Sequence, residues 1–301
     1  MALDYKNSSI ARNFSICILS VVTLLRSRTL VYGFAIGSFG TYLIASGIKI
    51  PDFFVVGRLL ISVYFLALAT YLYNDLTDYK VDHINNRKIV YNSKETHYRT
   101  MLYSTIGFFV ISTLLAFSIN ILTGICALAF LGLAIAYSHP RTHFKDRFMV
   151  KTLVTALGAS IASIMGLLAA ENFSYLALVS SIVPFLFYFI LGPLGDIGDM
   201  RGDKAGGRRT IPIMVGIPKT FVFTGIIVSC IASMILASYY FLGINIISVI
   251  FGISLCTYAF FKIKKLSKQY EDKKKISQVR TMLRYSIFAI QIILLMGTVN
   301  V

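Results

Sequence analysis

The sequence predicts an all-α, multi-pass membrane protein with about nine transmembrane helices, and two observations support this. First, 56% of the 301 residues are hydrophobic and only 14% are charged, whereas soluble domains average about 25% charged residues. Too few polar side chains are present to cover a surface that faces water. Second, the apolar residues fall in runs of about 20 residues, the length that crosses a bilayer as a helix.

The apolar runs define the predicted spans and their order. The spans are residues 29–47, 55–74, 101–118, 120–137, 150–170, 175–195, 220–240, 243–261 and 283–300. Residues 8–25 precede them and are predicted to form a helix near the membrane plane. Arg26 and Arg28 follow this segment without an A-x-A site, so we expect no cleaved signal peptide. No linker is long enough to separate two domains, so residues 1–301 are predicted to form a single domain.

Basic residues are distributed unevenly around these spans. All of the 29 Lys and Arg residues except Lys49 and Arg58 lie in the N-terminal segment or near the connections after spans two, four, six and eight. Positive residues favour the cytoplasmic side, so we expect a cytoplasmic N-terminus in the cell membrane. The net charge of +16 is therefore interpreted as orientation signal and attraction to membrane lipids, with no nucleic acid as partner.

Two acidic motifs of identical spacing follow the second and sixth spans. They contain six of the 13 acidic residues: Asn74-Asp75-x-x-Asp78-x-x-x-Asp82 and Asp196-x-x-Asp199-x-x-x-Asp203. On a helix, positions i, i+3 and i+7 share one face, so each motif projects three carboxylates together. Such carboxylates repel one another unless cations neutralise them. Mg²⁺ is suited to this role because it shares carboxylate and phosphate oxygens. Two facing rows predict two or more Mg²⁺ ions with a diphosphate between them.

Basic residues and a short polar segment accompany the motifs on the same side of the membrane. The basic neighbours are Lys80, Arg87, Lys88, Arg201, Lys204, Arg208 and Arg209. Arg can bind phosphate oxygens in bidentate fashion, although topology signalling alone also explains such residues. After the fourth span the chain reads Tyr137-Ser138-His139-Pro140-Arg141, with Lys145 and Arg147 beyond. We expect Tyr137 and Ser138 to meet a substrate held at the motifs.

At these residues the chain resembles the UbiA superfamily of intramembrane prenyltransferases. The superfamily has an N-D-x-x-D-x-x-x-D motif after helix 2, a D-x-x-D-x-x-x-D motif after helix 6 and a Tyr-Ser pair after helix 4. The resemblance implies a helical bundle around a lipid-open cavity, where Mg²⁺ holds a prenyl diphosphate. It implies metal ligands at Asn74 and the six motif aspartates, and catalytic roles for Asp75, Asp78, Asp196, Asp199 and Tyr137. It also implies substrate binding by Asn74, Ser138, Arg87, Arg141, Lys145, Lys204 and Arg209, in motif loops 74–99, 137–151 and 196–219.

The second motif is similar to that of archaeal enzymes that transfer geranylgeranyl to geranylgeranylglyceryl phosphate. The first motif departs from that subgroup, because Arg87-Lys-Ile-Val-Tyr-Asn-Ser replaces an R-P-x-x-S-G element. We expect a phosphorylated lipid acceptor, with Arg141, Lys145 and Arg147 as free cations for its phosphate. An aromatic acceptor, such as a quinone or chlorophyll precursor, is the alternative. An ion or solute transporter is the non-enzyme alternative, but transport sites usually lie near the bilayer midplane.

Overall fold

The computed structural model describes residues 31–47, 49–84 and 95–298, and the regular secondary structure of these residues is helical, with no strand. The helices are α1 (Val31–Ser46), α2 (Phe53–Ile84), α3 (Glu95–Phe117), α4 (Ile121–Ser138), α5 (Val150–Ala169), α6 (Tyr175–Ala205), α7 (Ile211–Val215), α8 (Ile217–Leu242), α9 (Ile246–Leu266) and α10 (Lys273–Met296). Among them, 8 are long and apolar enough to cross a membrane. Helix α1 is shorter, at 16 residues. The predicted all-α membrane bundle is confirmed, and the helix predicted at 8–25 lies outside the described residues.

Helices α2 and α6 extend well past their predicted ends at residues 74 and 195. Both aspartate motifs therefore begin as continuous helix, and the prediction that residues 74–99 and 196–219 are loops is wrong at their starts. Helix α6 contains Pro184 and Pro193 but continues past both to Ala205, and it ends at Gly206-Gly207, where Gly207 adopts a φ of +70°. A left-handed glycine of this kind is a common end to a helix. The regular helix fixes the carboxylates on defined faces.

Helix α10 begins ten residues before the span predicted for it, because Asp272 caps it. Its Oδ1 atom accepts hydrogen bonds from the backbone N–H groups of Lys274 at 2.9 Å and Lys275 at 3.2 Å. Such caps typically stabilise a helix by about 1 kcal/mol. The early start places Arg280 inside the helix instead of in a loop, one turn before Arg284, which already lies inside the predicted span.

The bundle has two packed halves. One apolar core is formed mainly by α1 to α5 and the other mainly by α6, α8, α9 and α10. Helix α1 lies close to α5 at Gly166, where an added Cβ would be 1.9 Å from the Ser38 carbonyl oxygen. The backbones of α1 and α5 therefore require glycine at this position.

A buried glutamine joins α10 to α1. The side chain of Gln291 donates from Nε2 to the Gly37 carbonyl at 3.0 Å and to Thr41 Oγ1 at 3.2 Å. Hydrogen bonds between membrane helices contribute about 0.6–2 kcal/mol each. These bonds hold α10 in register with α1, and so fix the positions of the arginines two and three turns earlier.

Candidate active site

A cavity of about 510 Å³ lies between α2, α4, α5, α6 and α10. Both aspartate motifs open onto it. Asn74, Asp75 and Asp78 line it from α2, Asp196 and Asp199 line it from α6, and Tyr137 lines it from α4. The structure therefore brings the two motifs and the tyrosine to one site, although they are far apart in the sequence. We call this space the motif cavity.

The rest of the motif cavity is largely apolar. Its walls include Phe34, Ala67, Phe130, Leu133, Val154 and Leu191. Ligand sites commonly combine apolar walls with a few polar groups that fix orientation. A cavity with acidic motifs at one edge and hydrocarbon walls elsewhere suits an amphiphile whose head binds through cations.

The first motif is held by the segment that follows α4. Ser138 donates from its hydroxyl to Asn74 Oδ1 at 3.1 Å. Lys145 Nζ lies 2.7 Å from Asp78 Oδ1 and donates to Thr77 Oγ1 at 2.7 Å. Two residues that the sequence placed in the substrate loop thus contact the first motif directly.

The second motif is bridged by a lysine from α5. Lys151 Nζ lies 2.7 Å from Asp196 Oδ1 and 3.3 Å from Asp203 Oδ2. Asp203 is almost fully buried, at 1% exposure. The cation offsets the repulsion between two carboxylates that would otherwise be costly to bury together.

The two motifs are joined by Arg208. Its guanidinium contacts the Asp78 carboxylate on α2, lies 3.3 Å from Asp203 Oδ1 and lies 3.2 Å from Asp146 Oδ1. The backbone N–H of Arg209 also donates to the Asp146 carbonyl at 3.0 Å. The planar guanidinium has five N–H donors and can serve three carboxylates, which a lysine ammonium does less well.

Burial and the neighbouring carboxylates have opposite effects on the pKa values of Lys145 and Arg208, two basic residues outside the membrane spans. Burial lowers the pKa of Lys145 below its usual value, while the Asp78 carboxylate opposes the shift. Burial also acts to lower the pKa of Arg208, but Asp78 and Asp203 outweigh it and raise that pKa above its usual range. Arg208 therefore remains a cation at any working pH.

A divalent cation fits the donors in the motif cavity. Asp196 Oδ2 is buried and has no hydrogen-bond partner among the described residues. Asp75 and Asp199 place further carboxylates on the same cavity. Within the described residues, no three His, Cys, Asp or Glu side chains already form a closed metal cluster. The donors therefore fit an ion such as Mg²⁺ that completes its shell with water and phosphate oxygens.

One expectation about the basic residues is wrong. Lys145 was expected to be free of the metal motifs, but it is buried against Asp78. The reason is the short 3₁₀ turn at Phe144–Asp146, which folds the chain back toward α2 after Pro140. Sequence spacing could not show this return.

Other predicted substrate ligands lie away from the motif cavity. Arg141, Arg147, Lys204 and Arg209 are exposed and are absent from its lining. The Arg147 guanidinium instead lies over the Phe144 ring, 5.2 Å from its centroid. The side chain of Asp82 and the whole of Arg87 lie outside the described residues. Roles for these residues at the substrate stay predictions.

Three basic residues that the sequence does not mark as ligands also line the motif cavity: Lys151, Arg280 and Arg284. Each lies near the end of a predicted span, where a basic residue is also typical of a topology signal. Arg280 and Arg284 are spaced i, i+4, which places both on one face of α10. Recognising that α10 begins at the Asp272 cap would have revealed that face.

The family model described as the UbiA prenyltransferase family matches residues 17–287. The chain belongs to this family. It is therefore a prenyltransferase and a multi-pass integral membrane protein.

Curated relatives carry the name digeranylgeranylglyceryl phosphate synthase. The protein from Sulfurisphaera tokodaii is 29% identical over 73% of this chain and 78% of its own length. The protein from Methanosphaera stadtmanae is 27% identical over 72% of this chain and 80% of its own length. The chain thus matches most of the length of both relatives.

Solved structures share the fold. One, from work on digeranylgeranylglyceryl phosphate synthase in membranes, has a TM-score of 0.72 at 19% identity, covering 95% of this chain and 99% of that chain. A UbiA homologue from Archaeoglobus fulgidus bound to GPP and Mg²⁺ has a TM-score of 0.66 at 17% identity, covering 92% and 99%. At these identities the structural likeness establishes the helical architecture.

Proposed function

We propose that this chain catalyses Mg²⁺-dependent transfer of a geranylgeranyl group from its diphosphate to geranylgeranylglyceryl phosphate, in archaeal-type lipid synthesis. The observation that supports this most is the motif cavity itself. Two aspartate motifs from α2 and α6 open onto one space whose remaining walls are largely apolar. Such a space fits a substrate with a diphosphate head and a hydrocarbon tail.

Metal binding is assigned to the two motifs. Asn74, Asp75, Asp78 and Asp82 on α2, and Asp196, Asp199 and Asp203 on α6, would hold two or more Mg²⁺ ions. The A. fulgidus homologue binds Mg²⁺ together with GPP or DMAPP, which supports the same ligand classes here. When bound, Mg²⁺ neutralises charge on the diphosphate leaving group.

The proposed reaction forms one ether bond and breaks one phosphate ester bond. The bond between prenyl C1 and the diphosphate oxygen breaks, and the electron pair leaves with the diphosphate. The acceptor hydroxyl oxygen then bonds to C1, and its proton passes to an oxygen of the released diphosphate. Apolar side chains such as Phe130 and Leu133 exclude water from the allylic cation. The ring of Tyr137 can stabilise that cation through its π face.

Two observations support the phosphorylated acceptor: the name shared by the curated relatives and the positive charges in the motif cavity. The curated relatives share one name, which specifies a phosphorylated glycerol ether product. Arg280 and Arg284 provide the motif cavity with cations from a second direction. An aromatic acceptor remains the second candidate because Tyr71 and Tyr188 also line this cavity.

The active face is proposed to be cytoplasmic. The two motifs and the Tyr137–Lys151 segment belong to the side predicted to be inside. So do the adjoining ends of α9 and α10, which carry Lys264, Lys265 and Lys273 to Lys275. Membrane lipids are then the immediate surroundings, and both substrates reach the cavity from the bilayer. Nucleic acid is not a proposed partner.

A panel of acceptors tests this proposal. Purified protein is incubated with labelled geranylgeranyl diphosphate, Mg²⁺ and either geranylgeranylglyceryl phosphate, its dephosphorylated form or an aromatic quinone precursor. We expect the phosphorylated ether to be prenylated fastest, with a product mass increased by one geranylgeranyl group. Faster prenylation of the aromatic compound would replace this acceptor with the second candidate.

A further inference from the structure

A second cavity, of about 380 Å³, adjoins the motif cavity between α1, α5, α6 and α10. The two cavities share three lining residues, Phe34, Tyr188 and Arg284. The rest of the second lining is mostly apolar, including Gly33, Ile36, Pro184, Ile287 and Phe288. We call this space the side cavity.

The side cavity borders the lipid-facing surface of the bundle. Three of its lining residues are well exposed: Tyr32 at 48%, Ile36 at 48% and Tyr285 at 69%. They lie on α1 and α10, whose apolar surfaces face the bilayer in a membrane-spanning bundle. An apolar cavity beside lipid suits a hydrocarbon chain, because the chain leaves one apolar environment for another without meeting water.

The arginines on α10 mark the boundary between the cavities. Arg280 lines only the motif cavity, and its guanidinium carbon lies 2.7 Å from where a Cβ on Gly195 would stand, next to Asp196. Arg284, one turn later, lines both cavities. Tyr285 lines only the side cavity. Arg284 is thus the charged residue at the point where the two spaces meet.

The charge of Arg284 is not matched by a carboxylate in the part of the chain that the structure describes. By contrast, Lys145, Lys151 and Arg208 each form ion pairs with motif aspartates. A partly buried cation without a counter-charge is costly in an apolar wall. An anionic ligand would remove this cost, and an arginine is well suited to bind phosphate through two parallel hydrogen bonds.

We propose that Arg284 binds the phosphate of the acceptor lipid while the hydrocarbon chain of that lipid occupies the side cavity. This inference rests on the proposed function, because it names the subsite for the second substrate of the same reaction. It places the acceptor head beside the motif cavity and separates its phosphate from the diphosphate. Arg284 then takes the role that the sequence assigned to Arg141, Lys145 and Arg147.

The first test is a change of charge at the boundary. In Arg284→Gln, the KM for geranylgeranylglyceryl phosphate should rise about 10–100-fold, because one charge-assisted hydrogen-bonding partner is lost. The KM for geranylgeranyl diphosphate should change only a few-fold. The acceptor KM of Arg284→Lys should lie between the values for Arg284→Gln and wild type. Lys219→Gln removes an exposed charge at a residue that lines neither cavity and is the control.

The second test fills the side cavity. Gly33 lines it, and a Cβ there would make only ordinary van der Waals contact with Phe288, at 3.6 Å, so Gly33→Leu adds a larger side chain at the lining of this cavity. Calorimetric titration of detergent-solubilised protein with geranylgeranylglyceryl phosphate should show weaker binding in this variant and in Arg284→Gln. This readout needs no turnover.

The outcomes separate the subsite from the proposed function. If wild type prenylates the phosphorylated ether but both variants match it in acceptor KM and binding, the subsite is wrong and the proposed function stands. If wild type neither binds nor prenylates any phosphorylated ether, both fail.

Discussion

The guanidinium of Arg208 contacts the carboxylate of Asp78, although 130 positions separate them in the chain. Arg208 also contacts Asp203 and Asp146, so one side chain links α2, α6 and the connection between α4 and α5. The spacing of the two motifs is therefore set by cations of the chain itself. A site arranged in this way is largely preorganised for charged ligands.

Replacing Arg208 tests this link. Arg208→Ala removes one cationic partner from each of the buried carboxylates Asp78 and Asp203. Removing one partner of a buried ion pair typically lowers the free energy of unfolding by about 3–5 kcal/mol. We expect lower activity and faster proteolysis in residues 139–149, with Arg208→Lys intermediate because lysine cannot span three carboxylates. Arg201→Ala, an exposed neighbour on α6, is the control. Equal activity and proteolysis in Arg208→Ala and the control would contradict a linking role.

Lys151 is predicted to stabilise the second motif. Lys151→Ala removes the cation between Asp196 and Asp203, so thermal stability in detergent should fall when Mg²⁺ is absent. Added Mg²⁺ should raise the Tm more in this variant than in wild type, because a metal can replace the missing positive charge. Lys268→Ala, at an exposed site, should respond as wild type does. The same Mg²⁺-dependent increase in all three proteins would argue against a metal at Asp196.

Asp75 and Asp199 are predicted to be essential metal ligands. Asp75→Asn and Asp199→Asn keep side-chain volume but remove charge, and metal stabilisation of a leaving group amounts to several kcal/mol. At limiting Mg²⁺ we expect kcat/KM to fall by about 100-fold or more. Glu171→Gln, in the connection between α5 and α6, should be unaffected. Activity within a few-fold of wild type in either Asn variant would exclude the metal role for that residue.

The cytoplasmic orientation is tested by labelling. In a background without native cysteines, Gly206→Cys and Asn92→Cys should be protected from a membrane-impermeant thiol reagent in intact cells. Phe173→Cys, which replaces an exposed side chain next to Asn172 in the connection between α5 and α6, should react. The charge distribution is the basis for this expectation. Reaction at Gly206 from outside would reverse the topology.

The sequence predicted the helices well because a bilayer imposes a strict length and apolarity on each one. The aspartate spacing also indicated a common face on α2 and on α6, and the first two aspartates of each motif line the motif cavity. Asp203 does not line it, because its carboxylate is buried against Lys151 and Arg208. The Tyr137–Ser138 pair was placed correctly beside the first motif, where Ser138 donates to Asn74. These features follow from local periodicity and from charge placement.

The remaining errors concern contacts between distant segments. Lys145 returns to Asp78 through a 3₁₀ turn, and no local pattern encodes which helix that turn will face. The sequence does not show that Arg280 shares a helical face with Arg284, because the apolar run of α10 begins at residue 283, whereas the helix itself begins at the Asp272 cap. Basic residues near membrane helices carry two signals, orientation and ligand binding, and only tertiary structure separates them.

Acceptor-dependent release of diphosphate tests the central claim most directly. Purified protein is given geranylgeranyl diphosphate with and without geranylgeranylglyceryl phosphate, in Mg²⁺ or in excess EDTA, and both diphosphate and the ether product are quantified. We predict equal amounts of diphosphate and ether when both substrates and Mg²⁺ are present, and neither product in EDTA. Undiminished ether formation in EDTA, or no ether with any acceptor in Mg²⁺, would contradict the assignment of a Mg²⁺-dependent prenyl transfer site to the two aspartate motifs.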